Sequence, residues 1–318
     1  MEPTRHRRRR LLPWQVAFLV LAAIWGLSFW WIKVGLEMLA PVQLAFVRLS
    51  VGTATLALLS LATGARLPRS LSTWRHLFVA AMLMNSVPVT LLAVGETHVS
   101  SVLAGMINAA TPLVTLAVIL VAFPENKPTT QRILGLLLGF VGILIVVGVW
   151  EGLGSGEWIG VAACLGALCS NSASIPYIRR HLAGLPESGI GLATGQVACA
   201  TLALLPLAIV SGPLPGPVAL DPVLAVLISG ALGAGLAYAL QYQVIDEAGP
   251  STASMVTYVM PLFAIVAGVA FLGEPFVWHE PIGGLVILVA LALAEGRLRG
   301  AVDAVANRFR RSPDVAPD

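Results

Sequence analysis

The stretch AGMINAATPL at residues 104–113 returns in altered form as ASMVTYVMPL at residues 253–262. When the chain is shifted by 149 residues against itself, Pro112 meets Pro261 and Glu125 meets Glu274 without a gap. The same shift then aligns Ile133, Gly135, Leu136 and Leu144 with Ile282, Gly284, Leu285 and Leu293. A proline, a glutamate and a glycine that keep register in this way indicate an internal repeat.

The composition around this repeat is that of a membrane protein. Hydrophobic residues make up 57% of the 318 positions and charged residues 11%, whereas soluble domains have about 25% charged residues. Apolar runs of about 20 residues, the length that crosses a bilayer as a helix, recur along the chain. We therefore predict an all-α integral membrane protein with ten transmembrane helices. The predicted spans cover residues 14–36, 41–63, 76–96, 101–123, 132–150, 158–178, 189–211, 222–245, 251–273 and 281–297.

The basic residues support both the count and the orientation of these spans. With ten crossings and both termini in the cytoplasm, 17 of the 19 Lys and Arg residues fall on the cytoplasmic side, as the positive-inside rule requires. Residues 1–13 and 298–318 form basic cytoplasmic ends, and residues 14–150 and 158–297 form the two repeats. Because each repeat has five helices, the second enters the membrane from the opposite side. This inverted-topology repeat is typical of alternating-access transporters.

Polar residues predict which spans surround a cavity, because polar groups in hydrocarbon face one another or a wet space. The fifth and tenth spans carry almost none, so we expect them to lie outside, against lipid or a second copy of the chain. The alternative is that the polar groups only bond helix to helix. The predicted cavity or substrate-binding residues are Trp25, Arg48, Asn85, Asn108, Thr111, Asn171, Tyr238, Tyr242, Thr257 and Tyr258.

The matched prolines point to a more specific site between the fourth and ninth spans. Pro112 and Pro261 interrupt helical hydrogen bonding, which permits a hinge or merely a packing kink. Asn108 lies about one turn before the first proline, and Thr257 and Tyr258 about one turn before the second. An amide, hydroxyls and unpaired carbonyls at this level would suit a small zwitterion.

Two cations lie within the predicted spans. Lys33 is near enough to a helix end to reach water, whereas Arg48 is deeper and needs a partner, which an anionic substrate, a helix carbonyl end or Glu96 would provide. No Asp or Glu occupies the middle third of a span, so a proton or charge role would fall to Glu96, His98 or Lys33, unless the protein is a uniporter.

These motifs together resemble EamA-type members of the drug/metabolite transporter superfamily. The sequence Trp25-Gly26-Leu27-Ser28-Phe29, followed by Lys33 and Arg48, is similar to the family's opening, and both proline stretches resemble its repeat ends. The resemblance covers residues 14–297 and implies a ten-helix inverted repeat that moves metabolites, often exporting amino acids, through a central cavity. The chain departs from the family at Asn171, where a tryptophan is common, and at Phe123-Pro124-Glu125.

The leading functional interpretation is a carrier in a bacterial inner membrane that exports amino acids or related metabolites. An integral membrane enzyme is the alternative, but His279-Glu280 lacks the second histidine of a zinc-binding helix and no nucleophile–base pair stands out. A channel or a lipid-handling protein without a transport cycle is a further alternative. We expect a small-molecule substrate and the bilayer as partners, with no cofactor, metal ion or nucleic acid. Gly135, Gly139 and Gly142 permit a close helix approach, either within the chain or in a homodimer through the fifth or tenth span.

Overall fold

A computed structural model describes residues 12–122, 129–152, 154, 156–182, 185, 187–214, 216–248 and 255–296, with the backbone alone at residues 122, 242, 245 and 246. The basic ends before residue 12 and after residue 296, Glu125 and the predicted start of the ninth span lie outside these residues. Every regular element in the described part is a helix, as the apolar composition predicts.

Within these described ranges, eight helices are long and apolar enough to cross a membrane. They are α1 (Trp14–Gly35), α2 (Pro41–Thr63), α3 (Leu71–Glu96), α4 (Ser101–Val121), α5 (Thr130–Val147), α6 (Glu157–His181), α7 (Gly189–Val210) and α8 (Leu220–Gln241). Two shorter apolar helices follow, α9 (Val256–Leu272) and α10 (His279–Ala294). Predicted and observed bounds differ most for the third span, where α3 begins five residues earlier than predicted.

Several helix ends follow from local sequence. The side-chain oxygens of Ser100, Thr129 and Ser188 accept hydrogen bonds from backbone N–H groups in the first turns of α4, α5 and α7, groups that have no partner within the helix. At the other end, α5 and α9 terminate at Gly148 and Gly273, whose φ angles of 65° are readily adopted only by glycine.

Two helices contain a wider π-helical turn in the middle. In α3 this turn spans Met82–Ser86, and in α8 it spans Ser229–Leu236. A π-turn leaves carbonyls without an intrahelical partner, and the hydroxyl of Ser170 on α6 donates to the carbonyl of Leu83 at 2.9 Å. Helix α4 is interrupted differently, because its regular segments end at Asn108 and resume at Thr111.

The helices pack in a set of defined pairs. Helix α1 packs against α8 and α9, α2 against α7 and α8, α3 against α6 and α7, and α4 against α6 and α9. The hydroxyls of Thr53 on α2 and Thr201 on α7 lie 3.0 Å apart where these helices cross.

Helices α5 and α10 form a pair at the edge of the molecule. A Cβ added at Gly135 would lie 2.6 Å from the Cβ of Ala294, and one at Gly142 would lie 2.8 Å from Ile287 Cγ1. The close-approach glycines therefore serve contact within the chain. The outward faces remain apolar, with Leu137 and Leu285 each 60% exposed, so a homodimer through α5 or α10 would use these leucines rather than the glycines.

Candidate functional site

A cavity of about 180 Å³ lies among the middle portions of the helices. Side chains from α1, α2, α3, α4, α6, α8 and α9 line it, and α5 and α10 contribute none. The cavity volume is enough for several water molecules or one small solute.

Most of the predicted cavity residues lie together on its wall. Those that line it are Trp25, Arg48, Asn85, Asn108, Thr111, Asn171, Tyr238 and Thr257. Tyr258 is not among the lining residues, and its hydroxyl donates to Glu295 Oε1 at 3.0 Å. The side chain of Tyr242 lies outside the described residues.

Arg48 is the only charged residue among the described lining residues. Its side chain is 8% exposed, and it lies about 10 Å along α2, at 1.5 Å per residue. One guanidinium nitrogen, Nη2, donates to Ser28 Oγ over a long 3.4 Å, and Nε has no hydrogen-bond partner. A Cβ on Gly233 would lie 3.1 Å from Nη2, so this glycine leaves the space that the guanidinium occupies.

A chain of amides and a hydroxyl fixes another part of the wall. Gln196 Nε2 on α7 donates to Asn85 Oδ1 at 2.7 Å, and Asn85 Nδ2 donates to Tyr238 OH at 3.0 Å. Asn85 belongs to the π-turn of α3, and Tyr238 follows the π-turn of α8. The bonds therefore join the two irregular segments, and they leave the phenolic hydrogen of Tyr238 available to a ligand.

The break in α4 is stabilised by local bonds. Thr111 Oγ1 donates to the carbonyl of Asn108 at 2.6 Å, and Ser172 Oγ on α6 donates to the carbonyl of Thr111 at 3.2 Å. The predicted hinges differ from each other: α4 is interrupted just before Pro112, whereas Pro261 lies inside the continuous α9. Neither proline lines the cavity.

The residues predicted to have a proton or charge role lie beyond one end of the cavity. The half-buried Lys33 donates through Nζ to the carbonyls of Glu96 at 2.6 Å and Val99 at 2.9 Å, and so caps the end of α3. Glu96 is fully buried, and neither carboxyl oxygen has a hydrogen-bond partner. His98 is exposed, with Nδ1 2.8 Å from Thr97 Oγ1. None of these three residues lines the cavity.

Glu274 joins α9 to α4 at the same end. Its Oε1 accepts from Ser101 N at 2.8 Å, and its Oε2 accepts from Ser101 Oγ at 2.9 Å and Val102 N at 3.1 Å. The carboxylate thus occupies the N-terminus of α4, where backbone N–H groups and the helix dipole favour a negative charge.

Sequence reasoning missed the roles of Ser28, Gln196 and Glu274. Gln196 carried a usable signal, since an amide in the middle of an apolar span needs a partner. Glu274 was noticed only as a marker of the repeat, because its partner lies 173 residues away. Among the residues that the structure describes, no three His, Cys, Asp or Glu side chains come together as a metal site.

Comparison with known proteins gives consistent matches over most of the chain. YedA of Escherichia coli K12, described as an uncharacterized inner membrane transporter, is 27% identical over 289 residues, which are 90% of this chain and 92% of YedA. The uncharacterized transporter YdfC of Bacillus subtilis is 23% identical over 283 residues, 88% of this chain and 90% of YdfC. A WAT1-related chloroplastic protein of Arabidopsis thaliana, At3g02690, is 22% identical over 280 residues, 85% of this chain and 66% of that protein.

A solved crystal structure has the same fold, with a TM-score of 0.61 at 17% identity over 91% of this chain and 98% of the other. The EamA-like transporter family matches residues 12–148 and again residues 158–295. The two matched ranges cover both sets of helices and leave out only the connection between α5 and α6 and the ends of the chain. The chain belongs to the EamA-like transporter family.

Proposed function

We propose that this membrane transporter moves small metabolites across a bacterial inner membrane by alternating access, and that it exports amino acids or related compounds. The observation that carries the proposal is the central cavity, to which helices from both halves of the chain contribute polar side chains at mid-helix depth. Such a site, between two repeats and near the bilayer midplane, is what an alternating-access carrier requires.

The proposal includes ten spans arranged as an inverted repeat. If α1–α5 correspond to α6–α10, each packed pair should have a partner pair. Under this correspondence the α1–α9 contact matches the α4–α6 contact. In the same way α3–α6 matches α1–α8, and α2–α8 matches α3–α7. The pairs α2–α7 and α5–α10 each correspond to themselves.

The two π-helical turns in α3 and α8 also support a correspondence between α1–α5 and α6–α10. The shift of 149 residues moves the π-turn Met82–Ser86 to residues 231–235, inside the second π-turn Ser229–Leu236. We therefore propose that the molecule moves by rearranging two similar halves about the cavity, with the π-turns and the break before Pro112 as places where helices can bend.

The orientation rests on charge. The described basic residues outside the cavity include Arg66 and Arg69 between α2 and α3, Arg75 near the start of α3, and Arg179 and Arg180 at the end of α6. These regions share one side of the membrane in the proposed topology. Together with the basic chain ends, they support cytoplasmic termini by the positive-inside rule. The match to YedA, an inner membrane transporter by its description, favours the inner membrane.

Transport by the purified protein in liposomes tests the proposal. Radiolabelled amino acids and organic acids would be offered to vesicles preloaded with the unlabelled compound, and we expect exchange of at least one of them. Asn108→Leu, which removes a polar group from the cavity wall, should reduce that exchange. Leu262→Ala is the matched control on α9, because its side chain is 61% exposed on the outer surface. Equal activity of both variants, or no exchange of any compound, would contradict the proposal.

A further inference from the structure

We infer that Arg48 binds the carboxylate of the transported solute, so that the cavity selects small organic compounds with a single carboxylate group. This inference rests on the proposed function, because it assigns the substrate class of the same cavity. It starts from the state of the guanidinium group in the structure.

Arg48 is a buried cation that has no carboxylate in direct contact within the described part of the chain. Among the described residues, no carboxylate oxygen lies within 4.0 Å of it, although Glu96 and Tyr238 are close enough to interact with it electrostatically. A buried charge without a hydrogen-bonded partner lowers the stability of the folded protein, and in membrane proteins such charges usually mark a binding site or a transport path. The cost is offset when a ligand supplies the missing negative charge.

The available nitrogens match the geometry of a carboxylate. Nε has no partner and Nη2 has only the 3.4 Å contact with Ser28 Oγ, and these two nitrogens form one edge of the planar guanidinium. A carboxylate accepts two parallel hydrogen bonds along such an edge. Gly233 keeps the adjacent space clear, and Trp25 Nε1 donates to its carbonyl at 3.3 Å, which positions the indole beside the arginine.

The remaining wall defines what the rest of the solute can be. Because no second charged residue lines the cavity in the described part of the chain, one negative charge is balanced and a dianion is not. The amides of Asn108 and Asn171 and the hydroxyl of Tyr238 offer neutral hydrogen bonds. Phe29, Met84 and Leu92 provide apolar surface. A compact monocarboxylate fits this combination, and an α-amino acid fits it if its ammonium donates to the neutral amide and hydroxyl oxygens of the wall.

Ligand binding to the intact protein in detergent tests the assignment separately from transport. The probes are aliphatic, hydroxy, aromatic and α-amino monocarboxylates, each paired with its primary carboxamide, with affinity measured by calorimetry and by the shift of thermal unfolding. We expect wild type to bind at least one acid, and to bind it about ten-fold or more tightly than its amide, since hydrogen bonds to charged groups contribute that much.

Variants of Arg48 provide the comparison. Arg48→Gln should lose the preference for the acid over the amide, and Arg48→Lys should retain part of it, because the charge remains while the two-nitrogen edge is lost. If Arg48→Gln does not fold, a cysteine at position 108 with Arg48 intact serves instead: the acid should protect it from a water-soluble maleimide and the amide should not.

Equal binding of acid and amide by wild type, or an unchanged preference in Arg48→Gln, would overturn the inference. So would failure of every acid to bind the folded wild-type protein. Exchange of neutral or cationic solutes in liposomes, without preference for acids, would contradict the role of Arg48 and still support the carrier function. Selective binding of acids without exchange of any compound would support the role of Arg48 and contradict the carrier function.

Discussion

Removing the carboxylate of Glu274 should loosen the molecule at one end and admit water to the cavity from that side. The carboxylate accepts three hydrogen bonds from Ser101 and Val102, and these are the bonds by which the end of α9 holds the start of α4. In the proposed topology this end lies on the periplasmic side, so the bonds help to close the periplasmic path to the cavity.

The size of the effect follows from the kind of bond. A hydrogen bond to a charged group contributes about 1.5–3 kcal/mol, and a carboxylate at a helix N-terminus adds about 0.3–1 kcal/mol. The three bonds share one carboxylate and are partly exposed, so we take about 2 kcal/mol for the whole arrangement. This value corresponds to a roughly 30-fold change in the ratio of closed to open molecules.

Sided cysteine labelling measures that ratio. In a background with Cys164, Cys169 and Cys199 replaced, a single cysteine at position 108 would be labelled with a membrane-impermeant maleimide, applied to intact cells and to inside-out vesicles. Glu274→Ala should raise the labelling rate from the periplasmic side by about ten-fold or more. Glu274→Gln should have a smaller effect, because its amide oxygen can still accept up to two of the three bonds.

The matched control is Glu157→Gln. Glu157 Oε2 accepts from Gly154 N at 2.8 Å just before α6, on the exposed surface and within one segment of chain, so its loss separates no helices. Unchanged periplasmic labelling in a folded Glu274→Ala protein would refute the reasoning, as would an equal increase in the Glu157 variant.

Three further outcomes are expected. Gly142→Val should lower the thermal unfolding temperature in detergent, because the valine side chain would overlap Ile287 and such overpacking costs about 1–3 kcal/mol. The control is Leu137→Val at an exposed position of the same helix. Equal stability of the two variants would contradict the packing argument. Tyr238→Phe should reduce transport about five-fold while the protein stays stable. Asn85 Nδ2 loses its acceptor in this variant, and one hydrogen bond contributes about 1 kcal/mol. Full transport activity would contradict a role for this bond. A fluorescent reporter fused to the C-terminus should be active and a phosphatase fused there inactive, because the proposed topology has the C-terminus in the cytoplasm. An inactive fluorescent reporter with an active phosphatase would contradict cytoplasmic termini and the count of ten spans.

Much of the fold was predictable because a lipid bilayer permits few kinds of secondary structure. A backbone in hydrocarbon must satisfy its own hydrogen bonds, so long apolar runs become helices, and α1 to α8 occupy the positions where such runs were recognised. The bounds shifted where polar residues continue a helix beyond the apolar run, as at the start of α3, where Leu71–Trp74 are helical. The π-turns were not predictable, because the packing of neighbouring helices, such as Ser170 against the Leu83 carbonyl, satisfies the carbonyls that they free.

The sequence by itself determined that the chain is helical, lies in a membrane and contains a repeat, because these properties follow from local hydropathy and from register along the chain. It also identified Arg48 and Asn108, since a charge or an amide deep in an apolar span is costly wherever the helix lies. Only the tertiary structure decided which polar groups meet. It joins Asn85 to Gln196 and Tyr238 and pairs Tyr258 with Glu295. It leaves Arg48 Nε without a hydrogen-bond partner among the described residues. The physical reason is that each pairing depends on how one helix is rotated and positioned against another, and residues more than a hundred positions apart carry no local signal of that arrangement.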